Sequence, residues 1–293
     1  MQKIGCNMRK IQLLVISLIL LGGGWWLWSN KGDVKNIVSR YVENGEFQTL
    51  EARYTPQQIM DAHSRELLGD TSYQYKEPQY KYHPYLLMEV KFTADKKTRE
   101  GVILWSLTDG EMVLNTETWE RTHGFEDAIN AQATREEFKI LNALAKFNGI
   151  RTKEDLLADL QLEADVVNPW IESALQKQLI TRKGNLLQLH FENPKILVTP
   201  QTKFNRMLVS KPYNYSQRVS EKYTPSQIER VAKCAFGHDF SIRRITEVYL
   251  PVYAIHVENP DGSLTITHWN AVTGQMINPK YFKNGQERIK PAG

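Results

Sequence analysis

The sequence predicts an α+β protein: an N-terminal transmembrane helix, then two helix-plus-antiparallel-sheet units with a helical domain between them. Three observations predict it. Ile11–Trp28 is an 18-residue run without a charge near the start of the chain. A helix-then-three-strands pattern is written twice, over Tyr54–Val113 and Tyr223–Ile277. Between the copies, apolar residues recur at helical spacing and then give way to a short alternating stretch.

Composition agrees with this plan. A chain of 293 residues has room for about two or three small domains. With 41% hydrophobic and 24% charged residues it can build a core. A net charge of +4 implies an anionic partner only if the basic side chains gather on one face. Cys6 and Cys234 lie far apart, on either side of the apolar run, so neither a disulfide nor a zinc site is expected.

Ile11–Trp28 is close to the roughly 20 residues that cross a bilayer as a helix. Lys3, Arg9 and Lys10 precede it, and Trp25, Trp26 and Trp28 suit the membrane–water interface. This charge pattern places the N-terminus inside and the rest of the chain outside the cytoplasm, although Lys31, Lys35 and Arg40 reduce the asymmetry. The alternative is a signal peptide cleaved around Gly22–Gly24, giving a secreted protein. The tryptophans extend the apolar run past that point and favour an uncleaved anchor. Val34, Ile37, Val38, Tyr41 and Val42 then form a helical stripe, and "FQTLEARY" is expected to add a strand to the first copy.

In the first copy, "RYTPQQIMDAHSRELLG" (Arg53–Gly69) has Thr as helix cap, Pro in the first turn and Gly as the stop. "KYTPSQIERVAKCAFG" (Lys222–Gly237) repeats this signature. Apolar faces follow: Ile59, Ala62 and Leu67 in one, Ile228, Val231, Ala232 and Ala235 in the other. Each helix leads to a strand, "PYLLMEV" (Pro84–Val90) or "PVYAIHV" (Pro251–Val257). A polar turn, a strand with Trp105 or Trp269 and a tight turn with Gly110 or Gly274 come next. Spacing from Trp to Gly to Met is identical in the two copies. Each helix is expected to cover the sheet of its own copy.

The second copy, ending in "WNAVTGQMI", resembles the PepSY module over Tyr223–Ile277, and the first resembles it more loosely over Tyr54–Val113. The first departs in two ways: "LTDG" stands for the "TG" turn, and "FTADKKTREG" reads as a longer turn. The resemblance implies an extracytoplasmic, often membrane-tethered module that binds or restrains partners. It implies no catalytic residue.

Three helices are expected between the copies. They are Thr134–Gly149 with a Thr134–Glu137 capping box, Thr152–Leu160, and Asn168–Ile180 with Asn168 as cap and Pro169 in its first turn. "TRKGNLLQLHFEN" (Thr181–Asn193) adds a hairpin. Together they resemble the winged-helix domain. The expected organisation is an N-terminus and anchor over 1–30, a juxtamembrane helix and strand over 31–53, and a first unit over 54–125. The helical domain over 134–193, a linker and second unit over 203–282, and a polar tail over 283–293 complete it.

A winged helix raises the question of DNA, which demands cationic side chains on the recognition helix and wing. From Thr134 to Asn193 there are eight Lys/Arg and nine Asp/Glu. The count argues against nucleic acid. Arg151, Lys153, Arg182 and Lys183 are the residues that would form a basic face if it bound there.

Neither "HExxH", "GxSxG" nor a glycine-rich phosphate loop occurs, and no catalytic residue, cofactor or metal is assigned. Cys234 and His238 are read as a buried thiol and a surface imidazole. His256 and His268 fall on facing strands at solvent-side positions, while Asp109–Glu111 and Glu136–Glu137 read as solvated pairs. "TSYQYKEPQYKYHPY" offers Tyr73, Tyr75, Tyr80, Tyr82 and Tyr85 as a partner surface or as packing between helix and sheet. The expected function is that of a non-enzymatic, membrane-anchored module meeting a protein partner in the cell envelope. A membrane-tethered nucleic-acid-binding regulator, and a hydrolase assembled from distant residues, are the alternatives.

Overall fold

The computed structural model describes residues 46–69, 72–191, 193–212 and 217–277. The apolar run Ile11–Trp28, the stripe Val34–Val42 and the polar tail lie outside them. Among the described residues no helix is long and apolar enough to cross a membrane. The fold is α+β. Its strands are β1 (Glu46–Leu50), β2 (Gln74–Tyr75), β3 (Gln79–Ala94), β4 (Lys97–Ser106), β5 (Met112–Asn115), β6 (Glu120–Arg121), β7 (Ile150–Thr152), β8 (Ile180–Lys183), β9 (Leu186–Leu189), β10 (Leu208–Pro212), β11 (Ser241–Glu258) and β12 (Leu264–Asn270). The helices are α1 (Pro56–Ala62), α2 (Ser64–Leu67), α3 (Phe125–Asn130), α4 (Arg135–Ala145), α5 (Lys153–Leu160), α6 (Ala164–Gln176) and α7 (Pro225–Phe236).

A nine-stranded sheet runs β10-β1-β11-β3-β4-β5-β6, with β2 and β12 also paired to β11. Its centre is the antiparallel pair β3–β11, the first long strand of each copy. The copies therefore share one sheet. They are related by a local two-fold at the pair His83–Leu250, flanked symmetrically by Tyr82 opposite Pro251 and Pro84 opposite Tyr249. Outward from this joint the registers match: Tyr85 faces Ser106 and Leu86 faces Trp105, as Val252 faces Asn270 and Tyr253 faces Trp269. "FTADKKTREG" is not a long turn. β3 and β4 pair as far as Ala94–Lys97, with Asp95 and Lys96 at φ 52 and 61 in a two-residue turn.

The helices reverse the expected pairing. Ile59 and Met60 of α1 share a buried cluster with Tyr253, Ile255, Val257 and Trp269 of the second copy. Ile228, Val231 and Ala232 of α7 pack in the cluster of Leu86, Met88, Trp105 and Met112 of the first copy. The backbone repeats the exchange. Arg53 and Tyr54 N–H groups donate to the Ala271 carbonyl, while Lys222 and Tyr223 N–H groups donate to that of Leu107. A parallel pair joins Thr49 to Tyr249, matched by a parallel bridge between Arg218 and Tyr82. β1 thus extends the second copy rather than the first. The connection after α2 explains this: β2 hydrogen-bonds to β11 through Tyr75–Val257 and Gln74–Glu258, holding α1 over that strand.

Each exchanged tyrosine covers a turn glycine. The Tyr223 ring lies against Gly110 (φ +74) and the Tyr54 ring against Gly274 (φ +72). A Cβ on Gly110 would stand 2.8 Å from Ile129 Cδ1 and 3.0 Å from Tyr223 Cε2, against 3.3 Å from Tyr54 at Gly274. Gly110→Ala is expected to cost about 2–3 kcal/mol and Gly274→Ala about 1–2 kcal/mol, because both force an L-residue into the left-handed region and both crowd a tyrosine ring, but the first is the tighter. Urea unfolding midpoints of the two variants check the ranking.

The segment between the copies forms α3 to α6 and a second sheet, β7-β9-β8. Thr134 and Thr152 cap α4 and α5 as their side chains predict, and Glu137 completes the box. α6 departs from expectation. It starts at Ala164, with Glu163 as cap and Pro169 inside. Buried Val167, Ile171 and Ala174 make a continuous stripe, and burying that stripe outweighs the start signal at Asn168–Pro169. Phe138, Leu141, Leu156, Val167, Ile171 and Leu187 belong to the same buried cluster as the strands of the first copy and α7. From Phe47 onward the described residues form one compact unit.

Candidate functional site

The five tyrosines do not line one open surface. Tyr82 and Tyr85 are buried, and Tyr73, Tyr75 and Tyr80 pack half-buried beside α1 and β11. The Tyr75 hydroxyl donates to the Met60 carbonyl at 3.1 Å. Phe47 from β1 stands edge-on to both Tyr82 (4.8 Å) and Tyr249 (5.1 Å), the pair related by the two-fold. Arg218 stacks over Tyr249 at 4.0 Å and bonds Glu247 at 3.1 Å. Burial and neighbouring Tyr253 and Tyr82 push the Tyr80 hydroxyl well above its ordinary pKa. These rings cement the joint between the copies.

Two carboxylate pairs read as solvated are buried in part or whole. Asp109 is 5% exposed and Glu111 3% exposed. Asp109 pairs with Arg121. Glu111 accepts from the Thr122 hydroxyl (2.6 Å) and from the Gly124 (2.9 Å) and Glu126 (3.0 Å) N–H groups at the start of α3. Burial pushes its pKa up against the pull of those donors. Glu137, 1% exposed, accepts from Lys177 (2.8 Å), Ser173 (2.6 Å) and the Thr134 N–H (2.7 Å), while Glu136 stays nearer the surface. The residue type misled the sequence reading, because lone carboxylates are rarely buried unless paired.

Among the described residues no group of three or more His, Cys, Asp or Glu could hold a metal ion. Cys234 is a half-buried free thiol on α7, and His238 lies beside the Arg135 guanidinium. His256 and His268 share one face of β11–β12, half-buried rather than solvated: Ala254 lies opposite His268 and His256 opposite Ile266. His83, which the sequence reading did not single out, is buried on the same face.

The segment between the copies holds the most exposed apolar side chains. Of the ten large apolar residues exposed among the described residues, five lie between Phe147 and Leu186. Ile150 and Leu186 stand on the outward face of the small sheet, where Thr152 pairs with Leu186 and Lys183 with Leu186 from the other side. Leu162 precedes the cap of α6 and Val166 lies in its first turn. The sequence carried this signal as apolar positions outside the buried register of α6. The expected basic face, by contrast, is partly neutralised. Arg151 bonds Asp159 at 2.7 Å and stacks on Phe147, and Arg182 bonds Glu172 at 2.7 Å. Lys153 follows the cap of α5, and Lys183 is exposed at the hairpin.

No family model matches the chain, and neither a curated protein nor a solved structure matches it.

Proposed function

We propose that the chain is a non-enzymatic binding or regulatory module that acts through protein contacts, held at the membrane by Ile11–Trp28 with its bulk outside the cytoplasm. In this reading the two exchanged units are PepSY-like and the segment between them is winged-helix-like. The observation that supports it best is the concentration of exposed apolar side chains, Phe147, Ile150, Leu162, Val166 and Leu186, on that segment. Contiguous exposed apolar groups mark contact surfaces, and Ile150 and Leu186 lie on one face of the small sheet. The Arg151–Asp159 and Arg182–Glu172 pairs favour this reading over the nucleic-acid alternative, because phosphates would have to displace carboxylates already seated.

A photo-crosslinking residue placed at Val166 or Leu186 in intact cells is expected to give a discrete protein adduct. The same residue at Lys97, the exposed first residue of β4, is expected to give none. Salt-dependent DNA binding by the purified chain, lost on reversing Arg182 and Lys183 and accompanied by no adduct, would replace this reading with the regulator.

A further inference from the structure

We propose that the face carrying His83, His256 and His268 is a proton-operated latch on the joint between the two copies, released by mild acidification. The proposal is independent of the docking surface above.

Geometry carries it. His83 lies at the centre of the local two-fold, opposite Leu250, and is 5% exposed. The counterpart of His83 in the second copy is that same Leu250, so one copy places a titratable ring where the other places an aliphatic one. His256 on β11 and His268 on β12 occupy the same face, one strand and two strands away. Lys81, two residues before His83 on β3, acts on both His83 and His256, and His268 acts on His83 from β12. β11 places Leu250 opposite His83, with Val248 and Val252 on the same face, and its terminal Glu258 is bound to Lys76 at 2.5 Å. Tyr85, on the same strand and face as His83, is buried, and its hydroxyl is pushed up by burial and by Asp109. Lys81 and His268 both oppose a positive charge on His83.

Burial first, and then His268 and Lys81, hold the His83 imidazole down to about 3, and burial and Lys81 lower that of His256. The sign follows from linkage. A base whose folded pKa is depressed takes up a proton on unfolding, so its contribution to stability is intact above the unfolded value, about 6.5, and drains away as pH falls below it. His83 alone raises the unfolding equilibrium constant about 30-fold between pH 8 and pH 5. Taking up that proton requires exposing His83, which sits in the β3–β11 pairing, so opening of this joint is the event that acidification favours.

The test follows urea unfolding of the full chain from pH 8 to pH 4, with histidine Cε1–H shifts and amide exchange on the same samples. In His83→Leu, which copies the residue at the equivalent position, the pH dependence is expected to flatten by about one proton. Amide exchange at pH 5.5, corrected for intrinsic rates, is expected to rise over 82–91 and 241–251 before it rises over 135–176. An unchanged pH slope in His83→Leu overturns the latch, as does exchange that rises first between the copies. If His83→Leu does not fold, the native protein decides: a His83 Cε1–H shift constant down to pH 5 supports the proposal, and one that titrates near pH 6.5 overturns it.

Discussion

Trp105→Ala is expected to destabilise the protein by about 3–5 kcal/mol, the range for emptying a fully buried aromatic site. The ring is inaccessible to solvent, touches Phe125 at 4.8 Å, and donates its Nε1–H to the Gly110 carbonyl at 2.7 Å. Which helix loosens is the more informative outcome. Trp105 belongs to the first copy but lies under α7, with Phe236 at 6.4 Å. Hydrogen exchange should therefore accelerate in Pro225–Phe236 and leave Pro56–Ala62 at its original rate. Trp269→Ala should cost a similar amount and do the opposite, because His63 at the end of α1 stacks on Trp269 at 4.3 Å. The reverse pattern in either variant would mean that each helix covers its own copy.

Lys177→Ala should cost about 2–4 kcal/mol, because it leaves the Glu137 carboxylate buried between α4 and α6 without its cation. Glu137→Gln in the same chain is expected to return part of that loss. The amide carbonyl can still accept from the Thr134 N–H while its NH2 donates to the Ser173 hydroxyl, and there is no charge to strand. Burial raises the pKa of Glu137, while Lys177, Ser173 and the Thr134 N–H lower it further, so the folded value lies below the ordinary one. A carboxylate depressed in this way contributes stability that is complete above its unfolded pKa, about 4.3, and is lost as pH falls through the folded value. The stability difference between the native chain and Lys177→Ala should therefore shrink below pH 4. Denaturation curves at pH 7 and pH 3.5 check both statements.

Local features were legible in the sequence. Thr55, Thr134, Thr152 and Thr224 cap the helices they precede, and the cross-strand neighbours of Trp105 and Trp269 follow the matched spacing of the copies. The partner of each helix was not legible. An apolar stripe such as Ile228, Val231 and Ala232 specifies that a face is buried but not which sheet buries it, and the deciding contact is the long-range pairing of β2 with β11. The candidate surface was legible only as residue types. The tyrosines were visible, yet whether they face a partner or the core depends on Phe47 and Arg218, brought from distant segments. Leu162 and Val166 were displaced from view because α6 begins five residues before its proline.

The exchange of α1 and α7 makes the two halves of the chain behave as a heterodimer that happens to be tethered. Each half lacks a lid that only the other can supply, so neither is expected to persist once separated. A tether converts such pairing into an intramolecular event at an effective concentration of around millimolar. A cut at an exposed loop position such as Leu197, between the small sheet and β10, should therefore leave the pieces bound to each other. Their survival as a complex would fall with dilution, which an uncut chain does not feel.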